Sequence, residues 1–173
     1  TRLPISIDAI NIRSELSEIL SGMQGIAKAN NLTLALNISK SVPEIIYLDQ
    51  IRLHRILANL ISNALKYTDQ GDVRIEVDVI STSDRDIIEV HVIDTGPGID
   101  QRFHNLIFSP MMRVRSSDSS NSEGAGLGLS IVKDFINELS GQISVRSSPD
   151  EGSSFIIMIP INPCPSDLQI EDN

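Results

Sequence analysis

Residues 73–93 constrain the fold most, because they have the pattern of an amphipathic β-hairpin. Valine and isoleucine at alternate positions from 73 to 79 are separated by Arg74, Glu76 and Asp78, which is typical of a strand with one face in water. A polar loop over residues 81–86 follows, and residues 87–93 then run back as a second strand. Strands joined by so short a loop pair antiparallel, so other elements must cover the apolar face.

The rest of the chain supplies helices and strands that can provide this cover. Helical spacing predicts helices over residues 10–29, 49–68 and 126–139, and a short helix over 100–106. Asp49 is the predicted N-cap of the second helix. Alternation predicts further strands over residues 32–38, 142–146 and 154–161. We therefore predict an α/β fold, namely a two-layer α/β sandwich. Its sheet is mixed and mostly antiparallel with about five strands, and about three helices lie on one face.

Charge and composition restrict the partners of this chain. Its 173 residues carry a formal net charge of −9, which argues against a nucleic-acid partner. An anionic ligand would need local positive charge or a bound cation. The single cysteine, Cys164, excludes an intrachain disulfide, and the longest apolar run, residues 155–159, is too short to cross a bilayer. We expect a cytoplasmic location, and a membrane anchor would belong to another part of a longer protein.

The helix predicted over residues 49–68 carries a polar stripe opposite its apolar face. Asn59, Asn63 and Lys66 are four and three residues apart, which places them within about 60° around the helix axis. Amide oxygens can ligate a hard divalent cation, and a lysine can contact phosphate. The same spacing also fits a solvated polar stripe without a ligand.

Two glycine-containing segments follow this helix. Residues 94–99 (DTGPGI) come directly after a predicted strand, so the Asp94 carboxylate could accept a hydrogen bond from an exocyclic amine. Residues 124–129 (GAGLGL) open a predicted helix, whose N–H groups and dipole favour phosphate. Each segment alone is equally typical of a structural turn.

Taken in order, these motifs resemble the catalytic, ATP-binding (HATPase) domain of sensor histidine kinases, within the GHKL superfamily of Bergerat-fold ATPases. Residues 57–68 (LANLISNALKYT) resemble the N box, and residues 94–99 and 124–131 resemble the two glycine boxes. Residues 152–155 resemble the closing segment, with Ser153 where the family usually has threonine. We assign residues 1–161 to this domain and predict that residues 162–173 form a disordered, acidic, proline-containing tail.

The resemblance implies ATP and Mg²⁺ as cofactors and a role for each matched residue. Asn59 and Asn63 would hold Mg²⁺ and, with Lys66, form the catalytic set. Asp94 would accept from the adenine amine, and Ser153 could hold a water that links Asp94 to the base. The implied nucleotide-contacting set is Asn59, Asn63, Lys66, Tyr67, Asp94, Gly96, Gly98, Ile99, Phe108, Arg113, Gly124, Ala125, Gly126, Leu127, Gly128, Leu129 and Ser153.

The implied function is transfer of the ATP γ-phosphoryl group to a histidine on a separate dimerisation domain, in a two-component system. None of His54, His91 and His104 lies in the motif that surrounds the family's phosphate-accepting histidine, His-Glu-x-x-x-Pro. The accepting histidine is therefore expected in another part of the parent protein, which would be a phosphoprotein. A downstream response regulator is the expected partner, and the isolated domain is expected to be monomeric. Met111 stands where the family's phenylalanine box has its second aromatic residue. This departure leaves open a non-catalytic module that binds ATP or docks a partner.

Overall fold

The computed structural model describes residues 3–110 and 127–165. These residues form seven strands, three α-helices and two short 3₁₀ turns. In chain order they are β1 (Asp8–Ile10), α1 (Ile12–Ala29), β2 (Leu32–Ile38), β3 (Ile46–Leu48), α2 (Gln50–Tyr67), β4 (Gly71–Ser81), β5 (Asp86–Asp94), the 3₁₀ turns Gln101–Phe103 and Leu106–Phe108, α3 (Leu127–Glu138), β6 (Gln142–Ser147) and β7 (Ser153–Pro160).

The predicted two-layer sandwich is confirmed. The main sheet has five strands in the order β2-β4-β5-β7-β6. Only the β2–β4 pair is parallel, and the other three pairs are antiparallel. The predicted hairpin is the β4–β5 pair, in which Val77 lies opposite Val90. A connection through α2 allows β2 and β4 to run in the same direction, as a parallel pair requires.

One hydrophobic core lies between the sheet and the helices. The predicted apolar face of α2 is buried, and Leu53, Leu57 and Ile61 have no exposed surface. The inward-facing side chains of the sheet, including Ile75 and Val90, are equally buried. Because α2 packs against β4, β5, α1 and α3, its position fixes the polar residues on its remaining face.

A small second sheet was not predicted. β1 and β3 pair antiparallel, with Ala9 opposite Tyr47. Each strand has three residues, too few to show a period of two. The short helix predicted over residues 100–106 is confirmed only in part. Asp100 caps a 3₁₀ turn over Gln101–Phe103, and a second 3₁₀ turn, Leu106–Phe108, begins at the last predicted residue. Such turns are common where a connection is too short for an α-helix.

The beginning of the predicted tail lies against the small sheet. Asn162 forms a β-bridge with Tyr47, and the Cys164 thiol donates to the Tyr47 hydroxyl over 3.3 Å. Residues 166–173 lie outside the described part of the chain. Among the described residues, no helix is both long and apolar enough to span a membrane.

A buried ionic network holds the first turn of α2. Asp49 caps the helix by accepting from the Arg52 backbone N–H at 2.9 Å, as its sequence position predicted. The Arg52 guanidinium is 2% exposed and pairs with Asp49 at 2.6 Å and with Glu138 of α3 at 2.7 Å. It also donates to the backbone carbonyl oxygens of Leu3 and Pro4. The network therefore joins the N-terminal segment, α2 and α3.

Candidate functional site

A buried carboxylate lies where β5 ends beside the start of β7. Asp94 is 8% exposed and lies directly opposite Ser153 in the β5–β7 register. Burial raises the pKa of the Asp94 carboxyl, although hydrogen bonds from the backbone N–H groups of Gly96 and Ser153 act in the opposite direction. The predicted position of this carboxylate at a strand end is confirmed, and its low exposure makes an unpaired charge costly.

The loop after Asp94 is held in place by hydrogen bonds to both backbone polar groups of Ile99. The Ile99 backbone N–H donates to the Ser147 hydroxyl at 2.7 Å. The Ile99 carbonyl oxygen lies 3.0 Å from His104 Nε2. Sequence reasoning gave neither Ser147 nor His104 a role. The only available signal for Ser147 was its inward position on β6, two residues after Val145.

The two glycines of this loop are required by the protein's own backbone. A Cβ on Gly96 would lie 3.0 Å from the Tyr67 carbonyl oxygen and 2.9 Å from Asp94 Oδ1. Gly98 has φ +75°, and a Cβ there would lie 1.9 Å from the Ser148 carbonyl oxygen. The close approach of Gly96 brings the loop against the C-terminal end of α2. Packing of either glycine against a bound base stays a prediction.

The last turns of α2 carry the predicted amide pair. Asn59 and Asn63 are both partly buried. The side-chain nitrogen Nδ2 of Asn63 is buried and has no hydrogen-bond partner among the described atoms. Buried amides in native proteins are nearly always hydrogen-bonded, so such an atom needs an explanation. A ligand at this end of α2 would provide one.

Lys66 and Tyr67 are more exposed than the amides. Tyr67 is 37% exposed, and partial burial raises the pKa of its hydroxyl. Lys66 lines a cavity of about 440 Å³ between α1 and α2, in which neither Asn63 nor Asp94 takes part. Lys66 thus lines a cavity that contains neither Asp94 nor Asn59 and Asn63, with which its helical spacing had grouped it. The other lining residues are Met23, Ile26, Asn30, Ser62, Leu65, Thr68 and Asp69.

A second cavity, of about 270 Å³, lies at the end of the sheet beside Asp94. Both inward-facing serines, Ser147 and Ser153, line it with Asp94. Of the predicted set, only Asp94 and Ser153 line this cavity. Gly96, Gly98 and Ile99 lie beside it, through contacts with Asp94, Ser148 and Ser147 respectively. The other lining residues are Ile93, Arg146, Ser148, Glu151, Gly152 and Ser154.

Phe108 connects this region to the helix that follows the second glycine box. Its ring packs edge-on against Phe155, with centroids 6.3 Å apart and an interplanar angle of 84°. Lys133 Nζ of α3 lies 5.6 Å from the Phe108 ring centroid, and Leu129 is buried. Leu127 and Gly128 belong to the first turn of α3. The predicted residues Arg113, Gly124, Ala125 and Gly126, and also Met111, lie outside the described residues.

None of the three histidines has an obvious role as an acceptor. His54 Nδ1 lies 2.7 Å from Glu15 of α1, and His91 contacts Glu89 on its own strand. His104 contacts the Ile99 carbonyl as described above. Within residues 3–110 and 127–165, no three His, Cys, Asp or Glu side chains are grouped as metal ligands. A divalent cation in this part of the chain would need amide, water and phosphate oxygens, which suit a hard cation.

Comparison with known proteins agrees with this fold. Residues 48–163 match the family model for histidine kinase-, DNA gyrase B- and HSP90-like ATPases. The fold and this match define an ATPase-type α/β domain, and the predicted Bergerat fold is confirmed. The chain belongs to the family of histidine kinase-, DNA gyrase B- and HSP90-like ATPases.

Curated relatives narrow the class to sensor kinases. The chain is 37% identical over 145 residues to the signal transduction histidine-protein kinase BarA of Escherichia coli K12. It is 37% identical over 136 residues to the autoinducer 2 sensor kinase/phosphatase LuxQ of Vibrio cholerae. These matches cover 83% and 79% of the chain but only 16% of each relative.

Solved structures show the same architecture. Full-length ShkA in complex with AMPPNP matches with a TM-score of 0.82 and 26% identity, covering 95% of this chain and 33% of that one. A nucleotide-free catalytic domain of histidine kinase ThkA matches with a TM-score of 0.75 and 25% identity, covering 91% and 99%. The predicted resemblance to the ATP-binding catalytic domain of sensor histidine kinases is confirmed.

Proposed function

We propose that this chain binds ATP with Mg²⁺ and donates the γ-phosphoryl group to a histidine on a separate dimerisation domain of the same protein. One observation carries the proposal: the buried Asp94 carboxylate and its glycine loop lie against the end of α2, the helix that presents Asn63. A purine and its phosphates need these two kinds of group within one site. The family and the names of the relatives support the same reading.

In this proposal the base is recognised at the end of the sheet, where β5 ends beside the start of β7. Asp94 accepts a hydrogen bond from the exocyclic amine of adenine, and Ser153 beside it holds a water that links the carboxylate to the base. The wall of this pocket is formed by Gly96, Gly98 and Ile99. Ile99 is held in place because Ser147 and His104 bind its backbone N–H and carbonyl groups. The raised pKa of Asp94 reflects a carboxylate held away from water. There a charge-assisted hydrogen bond is stronger than in solvent.

Phosphate binding falls to α2 and the start of α3. The amide oxygens of Asn59 and Asn63 fit Mg²⁺. The unpartnered Nδ2 of Asn63 is a hydrogen-bond donor, so it marks a place for an acceptor, such as a phosphate oxygen, beside the cation. Mg²⁺ supplies charge neutralisation during phosphoryl transfer. The Lys66 side chain is exposed and reaches phosphate if it turns away from the cavity between α1 and α2. Tyr67, the next residue on the helix, belongs to the same nucleotide-contacting set. The segment containing Arg113 and Gly124–Gly128 completes the phosphate site in this proposal, and Leu129 anchors α3 in the core.

The acceptor histidine lies outside this chain, since His54, His91 and His104 are engaged in local contacts. We infer a helical dimerisation domain as the immediate partner and a response regulator downstream of it, with no role for nucleic acid. The domain itself would be monomeric and act in the cytoplasm, where ATP is supplied. We also propose residues 1–161 as the domain and residues 162–173 as an acidic, proline-containing tail.

Transfer of labelled phosphate tests this proposal. The chain is mixed with γ-labelled ATP, Mg²⁺ and the helical dimerisation domain of its own protein. Acid-labile label is expected on the helical domain, only when both proteins and Mg²⁺ are present. Stable label on this chain alone would contradict an external acceptor. Nucleotide binding without any transfer would favour the non-catalytic module instead.

A further inference from the structure

The Ser147 hydroxyl makes three contacts and has one proton. It accepts from the Ile99 backbone N–H at 2.7 Å. It lies 2.8 Å from the Gly152 carbonyl oxygen and 2.8 Å from the Ser153 hydroxyl. A serine hydroxyl can donate once and accept twice, so these contacts use its full capacity.

Counting protons assigns the direction of each contact. The Gly152 carbonyl can only accept, so the Ser147 proton points to it. The contact between Ser147 and Ser153 must then use the proton of Ser153. This arrangement satisfies all three contacts with two hydroxyl protons. It leaves the Ser153 oxygen with lone pairs and no free proton on its other side.

The Ser153 oxygen lies next to a second acceptor. Ser153 and Asp94 are directly opposite each other on neighbouring strands, both are under 9% exposed, and both line the cavity at the sheet end. Side chains at such paired positions have Cβ atoms about 5 Å apart. The pocket wall therefore offers acceptors and no hydroxyl donor at this point.

We propose that Ser147 is a positioning residue for base selectivity, which fixes the Ser153 proton so that the pocket selects a purine with a 6-amine over one with a 6-carbonyl. This inference rests on the proposed function, because it assumes that the base binds beside Asp94. Adenine presents an N–H₂ donor at that position, whereas guanine presents a carbonyl oxygen. Hypoxanthine, the base of inosine nucleotides, also has a carbonyl there. Against the Asp94 carboxylate, a carbonyl leaves lone pairs facing each other without a proton. The water proposed on Ser153 gives one proton to the Ser153 oxygen and one to Asp94, so it has none for the carbonyl.

Without Ser147, the Ser153 hydroxyl is free to rotate and donate. Ser147→Ala should therefore weaken ADP binding and relieve the rejection of IDP. Calorimetric titration of the whole chain with ADP and IDP measures both affinities. We expect the ratio of ADP to IDP affinity to fall about tenfold, the effect of one hydrogen bond. Ser144→Ala is the matched control, because Ser144 lies on the same strand with its side chain exposed. It should leave the ratio unchanged.

Two further comparisons separate proton direction from a general loosening of the loop. Ser147→Thr keeps the hydroxyl and should keep the ratio. In a Ser153→Ala background, Ser147→Ala should not change the ratio further, because there is no hydroxyl left to orient. If Ser147→Ala does not fold, as judged by circular dichroism, Ser147→Cys replaces it, since a thiol is only a weak donor and acceptor.

The outcomes distinguish this inference from the function on which it rests. A wild-type chain that binds neither nucleotide overturns the proposed function and the inference together. A wild type that prefers ADP, with Ser147→Ala keeping the full preference, overturns only the role of Ser147. An equal loss of ADP and IDP affinity also overturns it, because that pattern reports a loosened loop and not a reoriented proton.

Discussion

The buried polar groups at the two ends of α2 differ in whether they have hydrogen-bond partners. Near the start, Arg52 is 2% exposed and donates to Asp49, Glu138 and two backbone carbonyl groups. Near the end, the Asn63 side-chain nitrogen is buried and has no partner among the described atoms. Both ends lie on one helix with one continuous apolar face. The difference indicates that the start of α2 holds the fold together and that its end is left for a ligand.

The energetic meaning of the two ends also differs. Removing one member of a satisfied buried ion pair strands the remaining charges away from water. Removing an amide whose nitrogen has no partner among the described atoms takes away a group that was already costly to bury. Stability should therefore depend strongly on Arg52 and weakly on Asn63, whereas ligand binding should show the reverse order.

The largest expected effect is on stability at Arg52. Arg52→Met leaves Asp49 and Glu138 without their cation and should lower the free energy of unfolding by about 3–5 kcal/mol. Urea denaturation measures this loss. Arg74→Met is the control, because Arg74 pairs with Glu76 on the surface, where both side chains are over 40% exposed. It should change stability by about 0.5 kcal/mol or less. Equal losses in the two variants would contradict a structural role for the Arg52 network.

Asp94→Asn should have the next largest effect, and on binding. The adenine amine would lose its charged acceptor, so ADP affinity should fall by about 1–3 kcal/mol. Calorimetric titration with ADP provides the measurement. Asp84→Asn, in the exposed β4–β5 loop, removes the same charge far from the site and should bind ADP as the wild type does. Unchanged affinity in Asp94→Asn would mean that the base binds elsewhere.

Asn63→Ala should affect stability little. Alanine favours a helix by about 0.5 kcal/mol over asparagine, and the buried orphan amide is removed. Some packing is lost with the side chain, so the urea midpoint should correspond to a change within about 1 kcal/mol of the wild type. A loss as large as that of Arg52→Met would show that the amide supports the fold and would erase the contrast between the two ends.

The smallest expected effect is a pH dependence at Asp94. Burial raises its pKa in the fold above the 3.8 of the free side chain. Its contribution to stability is therefore fully present below the unfolded pKa and is lost as pH rises through the folded pKa. Asp94→Asn has no such titration, so its stability relative to the wild type should increase between about pH 4 and about pH 7. Thermal unfolding at several pH values measures this difference, and a constant or decreasing difference would contradict it.

Much of the fold was predictable because its periodic segments are long. The β4–β5 hairpin alternates over many residues, and α2 shows its apolar face and its Asp49 cap in the sequence. β1 and β3 were missed because three residues carry no measurable period. The Arg52 network could not be predicted either, because its partners lie at residues 3–4 and 138, far apart in the chain.

The part of the site that could be predicted consists of residues that belong to recognisable sequence motifs. Asp94 and Ser153 were assigned from motifs, and the structure places them side by side. Ser147 was missed, because a serine on an edge strand has no motif of its own until the register puts it beside Ser153. Lys66 shows what helical spacing cannot predict. Its angle around α2 is close to those of Asn59 and Asn63, but its long side chain lies in the cavity between α1 and α2.

The dependence of ATP affinity on Mg²⁺ in Asn63→Ala tests the contrast between the two ends of α2 most directly. Calorimetric titration with ATP, with and without Mg²⁺, gives the gain in affinity due to the cation for each protein. The wild type should bind ATP more tightly with Mg²⁺, and Asn63→Ala should lose that gain while keeping its stability. A variant that keeps the full gain would show that the Asn63 side chain is not the place where α2 meets the metal-bound nucleotide.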